Sequence, residues 1–396
     1  LSLIVDEHRE YLADQARISA FRKAIHDVVK SGDVVLDLGA GTGIMGLLAC
    51  EAGAQRVYSI ESGGMIEVAR SLCRANGFEH RVTFIKGHSL QIDLPEKVDV
   101  VVADQIGRLG FEAGVLDYFR DARERFLKPT GQMIPRRIEL IVAPVECPER
   151  WEHVDFWNNT ATGFDLSPAR RWAVNTGYPV TYSPDDLLGT PAVGASLDFS
   201  SAAAEPFKLE ANVTVERAGT LHGIGGWFRA QLSERAFMTN SPLAAERINR
   251  RNVFFPIDRP VCVAAGDRVQ IVMHIMPTDM IVTWTAEVWG KAPAGSTISK
   301  GRFTHSTWQG MLIVQEDLRK TRPDSVPRLS PRGLARLTVL RLCDGQHTLT
   351  QVEREVHRSH PQLFRSTREA AVFVAEVVTR YAATPYDSIP DLRSDS

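Results

Sequence analysis

At 396 residues, with 44% hydrophobic and 24% charged residues and a formal net charge of −2, the chain has the make-up of a globular protein long enough for at least two cores. That near-neutral balance does not point to a nucleic-acid surface, and no run of about 18 apolar residues exists to cross a membrane. The five cysteines, Cys50, Cys73, Cys147, Cys262 and Cys343, are odd in number and lack CxxC spacing. They argue against a disulfide framework or a metal site and fit a reducing cytoplasm. Because the chain opens at Leu1 without a methionine, an earlier segment or a removed leader stays open.

Up to about residue 145, short β-branched runs alternate with helical stretches. "DVVLDLG", "RVYSIE", "VTFIKG", "VDVVVAD" and "IELIVAPVE" are separated by segments such as "GIMGLLACEAGA" and "MIEVARSLCRANG". Such alternation predicts βαβ units and a mostly parallel sheet. From there to about residue 320 the pieces are strand-like, including "FKLEANVTVERAG", "GIGGWFRAQL", "VCVAAGDRVQIVMHIM" and "MIVTWTAEVWG", which predicts an antiparallel sandwich or barrel. Residues 321–396 open on the turn-rich "RPDSVPRLSPRG", continue as amphipathic helices and end in a polar tail, "PYDSIPDLRSDS", read as frayed. The expected division is therefore 1–145, 146–320 and 321–396.

Chemistry concentrates at the end of the first predicted strand. Asp37 is followed by Gly39, Gly41 and Gly43 and then by a helix start near Ile44, an arrangement that lets backbone approach a ligand closely. The spacing is GxGxG, and the turn offers no lysine or arginine to a pyrophosphate. A second acid, Glu61, ends the next strand, where a carboxylate can hold both hydroxyls of a ribose. A cationic, phosphate-free nucleoside fits these residues, and S-adenosylmethionine has that description. The competing reading is a glycine turn that only packs a helix onto a sheet.

The resemblance then extends outward. "DEHREYLADQARISAFRKAI" resembles the helix that precedes the glycine loop in protein arginine methyltransferases, with His8, Glu10, Leu12, Asp14 and Arg17 in the matching pattern. "FIKGHSLQIDLPEKVDVVVADQIG" is similar to that family's third and fourth strands, and "RERFLKPTGQMIPRRIELIVAPVE" to its "LKPGG-like" hairpin ending at Pro135. "FWNNTATGFDLSPARRWAV" looks like its arm, carrying Phe156, Trp157, Gly163, Phe164, Asp165 and Ser167. The similarity spans about residues 6 to 290 and marks a divergent, bacterial-type member. It implies an α/β Rossmann-like class I methyltransferase domain, then an antiparallel β-barrel or sandwich, with a small helical C-terminal module added. It implies S-adenosylmethionine as cofactor, S-adenosylhomocysteine as product, no metal, and a homodimer through the arm near 151–190. Arg17 would hold the cofactor's carboxylate, with Asp37, Gly39, Gly41, Gly43, Glu61, His88 and Ser89 completing the cofactor site.

The departures fall on the acceptor side. Family members clamp a guanidinium between two glutamates after the fourth strand. Here the loop reads "ADQIGRLGFEAG", so Asp104 and Glu112 take those places with one residue deleted between them. Two carboxylates match the five donors of a planar guanidinium and can aim one nitrogen at the sulfonium methyl. The competing reading of Glu112 is a surface acid at a helix start. Ile248 and Asn249 stand where the family has His and Trp, and Leu90 where it has an adenine-binding glutamate. "FTHSTW" makes His305 and Trp308 further substrate candidates, against a plain closing-strand histidine with Trp308 in the barrel core. The arginines of "ERINRR" read as a solvated charge run. The C-terminal helices read as a cap on the barrel, with a weaker likeness to winged-helix elements that bind leader peptides.

The expected activity is methyl transfer to a guanidino group, on free arginine, a small metabolite or a peptidyl arginine. The alternatives are an N- or O-methyltransferase of another natural product or peptide, and an inactive cofactor-binding scaffold. A neutral acceptor would leave Asp104 and Glu112 as an unpaired acidic pair. Neither a basic accessory domain nor an Asn-Pro-Pro-Tyr acceptor loop is present to favour a nucleic-acid substrate.

Overall fold

The structure, a computed structural model, describes residues 4–160, 162–202, 204–291 and 296–382, so the polar tail from Pro385 lies outside the described residues. The chain divides into two units, one up to residue 312 and one from 313.

The first unit opens with α1 (Ile4–Ala13) and α2 (Gln15–Val28). They part at Asp14, whose carboxylate accepts the Arg17 N–H at 3.2 Å and caps α2. There follow β1 (Val34–Leu38), α3 (Ile44–Glu51), β2 (Arg56–Glu61), α4 (Met65–Ala75), β3 (Val82–Lys86), β4 (Val98–Val102), α5 (Val115–Arg125) and β5 (Leu127–Ile134). The five strands are parallel in the order β3-β2-β1-β4-β5. β1 lies at the centre and every one of its residues is buried, as a strand covered on both faces requires. On α4 the buried positions Met65, Ile66, Ala69 and Cys73 follow the helical repeat. The sheet order reverses between β1 and β4, which opens a crevice at the carboxyl ends of those strands.

The rest of this unit comprises β6 (Arg137–Val145), α6 (Pro148–Asp155), α7 (Arg170–Val174), β7 (Tyr178–Val180), β8 (Ala192–Asp198), β9 (Phe207–Thr214), β10 (Gly219–Gln231), β11 (Phe237–Thr239), β12 (Asn252–Val263), β13 (Arg268–Met276), β14 (Ile281–Lys291) and β15 (Thr297–Ser306). One sheet runs β7-β12-β10-β6-β8 with β11 on β10, and the other runs β15-β14-β13-β9. On β13 Val269, Ile271, Met273 and Ile275 are all buried, the period-two face of a strand over a core. Trp284 is buried there too, its indole N–H donating to Pro256 O at 2.8 Å.

Two boundaries differ from expectation. "IELIVAPVE" is β6 and pairs antiparallel with β10 and β8, whereas the fifth parallel strand is β5, "LKPTGQMI", expected as half of a hairpin. A buried β-branched run carries no mark of its partner's direction, so pattern alone does not separate these cases. The periodicity change near 145 is a change of sheet within one core, which runs from Phe21 to Phe303.

The second unit holds α8 (Gln315–Lys320), α9 (Pro331–Leu342), α10 (Leu349–Ser359) and α11 (Thr367–Tyr381). Ser330, Thr348 and Ser366 cap the last three through their hydroxyls. These helices build their own core from residues such as Val339, Val356 and Phe373. The strands of a winged-helix element have no counterpart among its described residues.

Candidate active site

The glycine turn sits at the carboxyl end of β1, with φ of +71° at Gly39, +54° at Gly41 and +75° at Gly43, values that side chains disfavour. A Cβ on Gly39 would run into the Gln105 amide, and one on Gly41 would stand 2.5 Å from His8 Cε1. Gly43 N-caps α3. Asp37 does not face the crevice. It is 1% exposed, accepts the Gly46 N–H at 3.0 Å, and burial pushes its carboxyl up to about 7. Its place in the structure is as a brace beneath the turn. Glu61 accepts the Gly41 N–H at 2.9 Å on one oxygen and the Gly63 N–H at 2.6 Å on the other.

Leu38, Gly39, Glu61, His88, Gln105 and Tyr118 line one cleft across the ends of β1, β2, β3 and β4. Its donor set fits S-adenosylmethionine. Each Glu61 oxygen keeps a lone pair for a ribose hydroxyl, since a carboxylate offers about four acceptor positions. His88 and Tyr118, 3.3 Å apart through Nε2 and the hydroxyl, and Ser89 supply the polar rim beside it. Leu90 is exposed and adds nothing polar. His8, held in the neutral direction mainly by burial, covers the turn from α1.

Asp104 lies two residues past the end of β4, and its side chain is 7% exposed. One oxygen, Oδ2, accepts from both Nε and Nη2 of Arg17, while Arg17 Nη1 donates to Tyr11 O at 2.9 Å. Burial first and the charge of Arg250 second push the Arg17 guanidinium down to about 10. The other oxygen, Oδ1, is buried without a hydrogen-bond partner among the described residues, with Arg250 Nη2 at 4.0 Å. Arg250 also donates to Gly107 O at 3.1 Å and feels the charge of Glu112.

Glu112 is turned onto its own loop. Its carboxylate accepts the N–H groups of Leu109 at 3.0 Å, Gly110 at 2.9 Å and Phe111 at 3.3 Å. Glu112 is half-buried and organises the 109–111 loop, against its reading as a surface acid. A neutral acceptor would not leave Asp104 and Glu112 an unpaired acidic pair, because Arg17 and Arg250 bring cations to them. Arg250 is thus the residue that sequence reasoning missed. "ERINRR" is not wholly solvated, since the Arg250 side chain is 17% exposed. Its position directly after Ile248 and Asn249 was the available signal. Ile248 itself is buried, and the Asn249 N–H donates to Asp14 at 2.7 Å.

His305 and Trp308 lie elsewhere. They line a cleft with Met276, Ile281, Thr283 and Met311, whose walls include none of the glycine turn, Asp104 or Glu112. His305 is buried against Trp284, with ring centres 5.7 Å apart, and burial pushes it down to about 4. Trp308 is 57% exposed, so it is not barrel core. Among the described residues no group of three or more His, Cys, Asp or Glu is placed to hold a metal, and no helix is long and apolar enough to cross a membrane.

A 3-2-1-4-5 parallel sheet carrying a glycine turn after β1 and an acid after β2 defines a class I methyltransferase domain. A methyltransferase domain model matches residues 29–169, and a model of the arginine methyltransferase oligomerization subdomain matches residues 136–283. Protein arginine N-methyltransferase 6 of Danio rerio is 31% identical over 290 residues, 69% of this chain and 82% of that protein. A probable protein arginine N-methyltransferase 6 of Arabidopsis thaliana is 30% identical over 239 residues, 57% of this chain, and the chain spans 54% of that protein's length. The fold is shared with a Trypanosoma brucei PRMT1 enzyme-prozyme complex with AdoHcy, at a TM-score of 0.67 and 22% identity over 75% of this chain and 97% of that one. The chain belongs to the protein arginine methyltransferase family, whose members are methyltransferases of the EC 2.1.1 type.

Proposed function

We propose that the chain transfers a methyl group from S-adenosylmethionine to a guanidine nitrogen, with Asp104 as the residue that receives the acceptor. The observation that carries this reading is Asp104 Oδ1, a buried acceptor atom beside the cofactor cleft that has no hydrogen-bond donor among the described residues. A buried carboxylate oxygen calls for an N–H, and a guanidinium supplies one with matching charge. Bound S-adenosylmethionine would supply an electrophilic methyl for displacement by the guanidine nitrogen, sulfur keeping the C–S bonding pair as S-adenosylhomocysteine leaves and the nitrogen's proton passing to solvent. Asp104 orients the guanidine and stabilises its charge, Glu112 fixes the 109–111 loop, and Gln105 lies between acceptor and glycine turn. Arg17, Gly39, Gly41, Gly43, Glu61, His88 and Ser89 bind the cofactor, and Asp37 braces the turn. We infer a homodimer through residues 151–190, where Phe156 and Phe164 are exposed, at 48% and 74%.

A second reading, methylation of a different natural product or peptide, is favoured by the internal pairing of Asp104 with Arg17, which leaves no obligatory place for a substrate cation. Transfer of labelled methyl to arginine, an arginine-containing peptide and a guanidine-free amine separates the readings. Guanidine-dependent label that is lost in Asp104→Ala supports the first. Label on the amine alone supports the second, and cofactor binding without any transfer supports the scaffold.

A further inference from the structure

Arg250 stands at two places at once. On one side its guanidinium is 4.0 Å from Asp104 Oδ1 and bonded to Gly107 O. On the other it lines a second cleft with Asp14, Thr181, Arg247 and Asn249. We propose that Arg250, assisted by Arg247, selects an acceptor that carries a carboxylate near its guanidine, so the substrate class is a guanidino acid. This inference rests on the guanidine reading of the same site.

Charge decides the matter. Asp104, Glu112 and Asp14 are already faced by Arg17, Arg250 and, in the second cleft, Arg247, three cations for three carboxylates. A bare guanidinium entering beside Asp104 adds a fourth cation to a largely buried cluster, where like charges are weakly screened. An acceptor with its own carboxylate offsets that charge, provided the anion meets a cation outside the reacting centre. The second cleft meets that need. Its one acid, Asp14, has its oxygens committed to the N–H groups of Arg17 at 3.2 Å and Asn249 at 2.7 Å. Arg247 donates to Tyr182 O at 3.1 Å through Nη1, and a guanidinium has five N–H groups to give. Two arginines lining one cleft can offer a carboxylate fork-matched donors, which a lysine or an amide reproduces poorly. Burial also holds the Arg250 guanidinium below its ordinary range, which an adjacent anion would relieve.

The test is calorimetric titration of the full chain, saturated with S-adenosylhomocysteine, using arginine and argininamide, which differ only in the carboxylate. The wild type is expected to bind arginine at least about tenfold more tightly, the scale of one charge-assisted contact. In Arg250→Gln the ratio should fall to about threefold or less, and in Arg250→Lys it should partly return. If Arg250→Gln does not fold, Arg247→Gln, at an exposed position, should lower the ratio instead. Equal binding of the two ligands by the wild type, or a ratio unmoved by both Gln variants, overturns the inference. Preference for arginine without methyl transfer would leave the carboxylate seat as a binding site and remove both the guanidine-methylation reading and the role of Arg250 in selecting an acceptor.

Discussion

Replacing Asp104 by asparagine keeps the side-chain shape and removes one negative charge from a group that is 7% exposed. No cavity forms, so the loss is electrostatic. Arg17, at 10% exposure, is left in the interior without its carboxylate, and Arg250 loses the anion 4.0 Å away. Removing one partner of a buried ion pair costs about 3–5 kcal/mol, and Arg17 carries that loss, since Arg250 keeps its bond to Gly107 O and the charges of Glu112 and Asp14. Urea unfolding followed by tryptophan fluorescence reads this cleanly, because all seven tryptophans lie at or before Trp308 and report the first unit alone. With a slope of about 3 kcal/mol per M, the midpoint should fall by about 1 M or more. Adding Arg17→Met should recover part of the loss, since the double variant no longer buries that unpaired cation. A midpoint within about 0.2 M of wild type, or a double variant equal to the sum of the singles, would refute the buried-pair reasoning.

Three other changes have definite outcomes. Gly41→Ala forces a side chain into a φ of +54° and toward His8, so S-adenosylhomocysteine affinity measured by calorimetry should fall at least about tenfold. Glu112→Ala frees the amides of Leu109, Gly110 and Phe111, which should exchange hydrogen at least about tenfold faster while the strands around them do not. His305 stays neutral down to about 4, against 6.5 for an ordinary histidine. Between those values the unfolded chain binds a proton that the folded chain refuses, so stability falls as the pH drops through 6.5 and levels off near 4. The contribution is about 3 kcal/mol at about 1.4 kcal/mol per pH unit, and His305→Gln should abolish it in urea titrations across that range.

The first strands of the parallel sheet were legible because β1, β2 and β3 end at or beside glycine or an acid, and α4 shows its apolar stripe at Met65, Ala69 and Cys73, whereas β5 ends beside a proline and was expected in a hairpin. The glycine turn was legible because spacing alone requires φ values that few residues adopt. The direction in which carboxylates point was not. Asp37 and Glu112 look like ligand acids in the sequence, yet each finds backbone N–H groups nearby, and such local capture leaves no mark in residue spacing. Arg250 was hidden for a related reason. A charge run is usually solvated, and only the fold reveals that the residue after Asn249 turns toward Gly107 and Asp104. His305 and Trp308 form a plausible polar-aromatic pair in sequence, but β15 carries them to a separate cleft.

The measurement closest to the central claim is product identification by carbon NMR and mass spectrometry after incubation with S-adenosylmethionine labelled in its methyl group. The labelled carbon is predicted on a guanidine nitrogen of an arginine-type acceptor, and absent when Asp104→Ala replaces the wild type. Label found on an oxygen or an amine, or guanidine label that persists undiminished in Asp104→Ala, would contradict the assignment of Asp104 and of the guanidine acceptor.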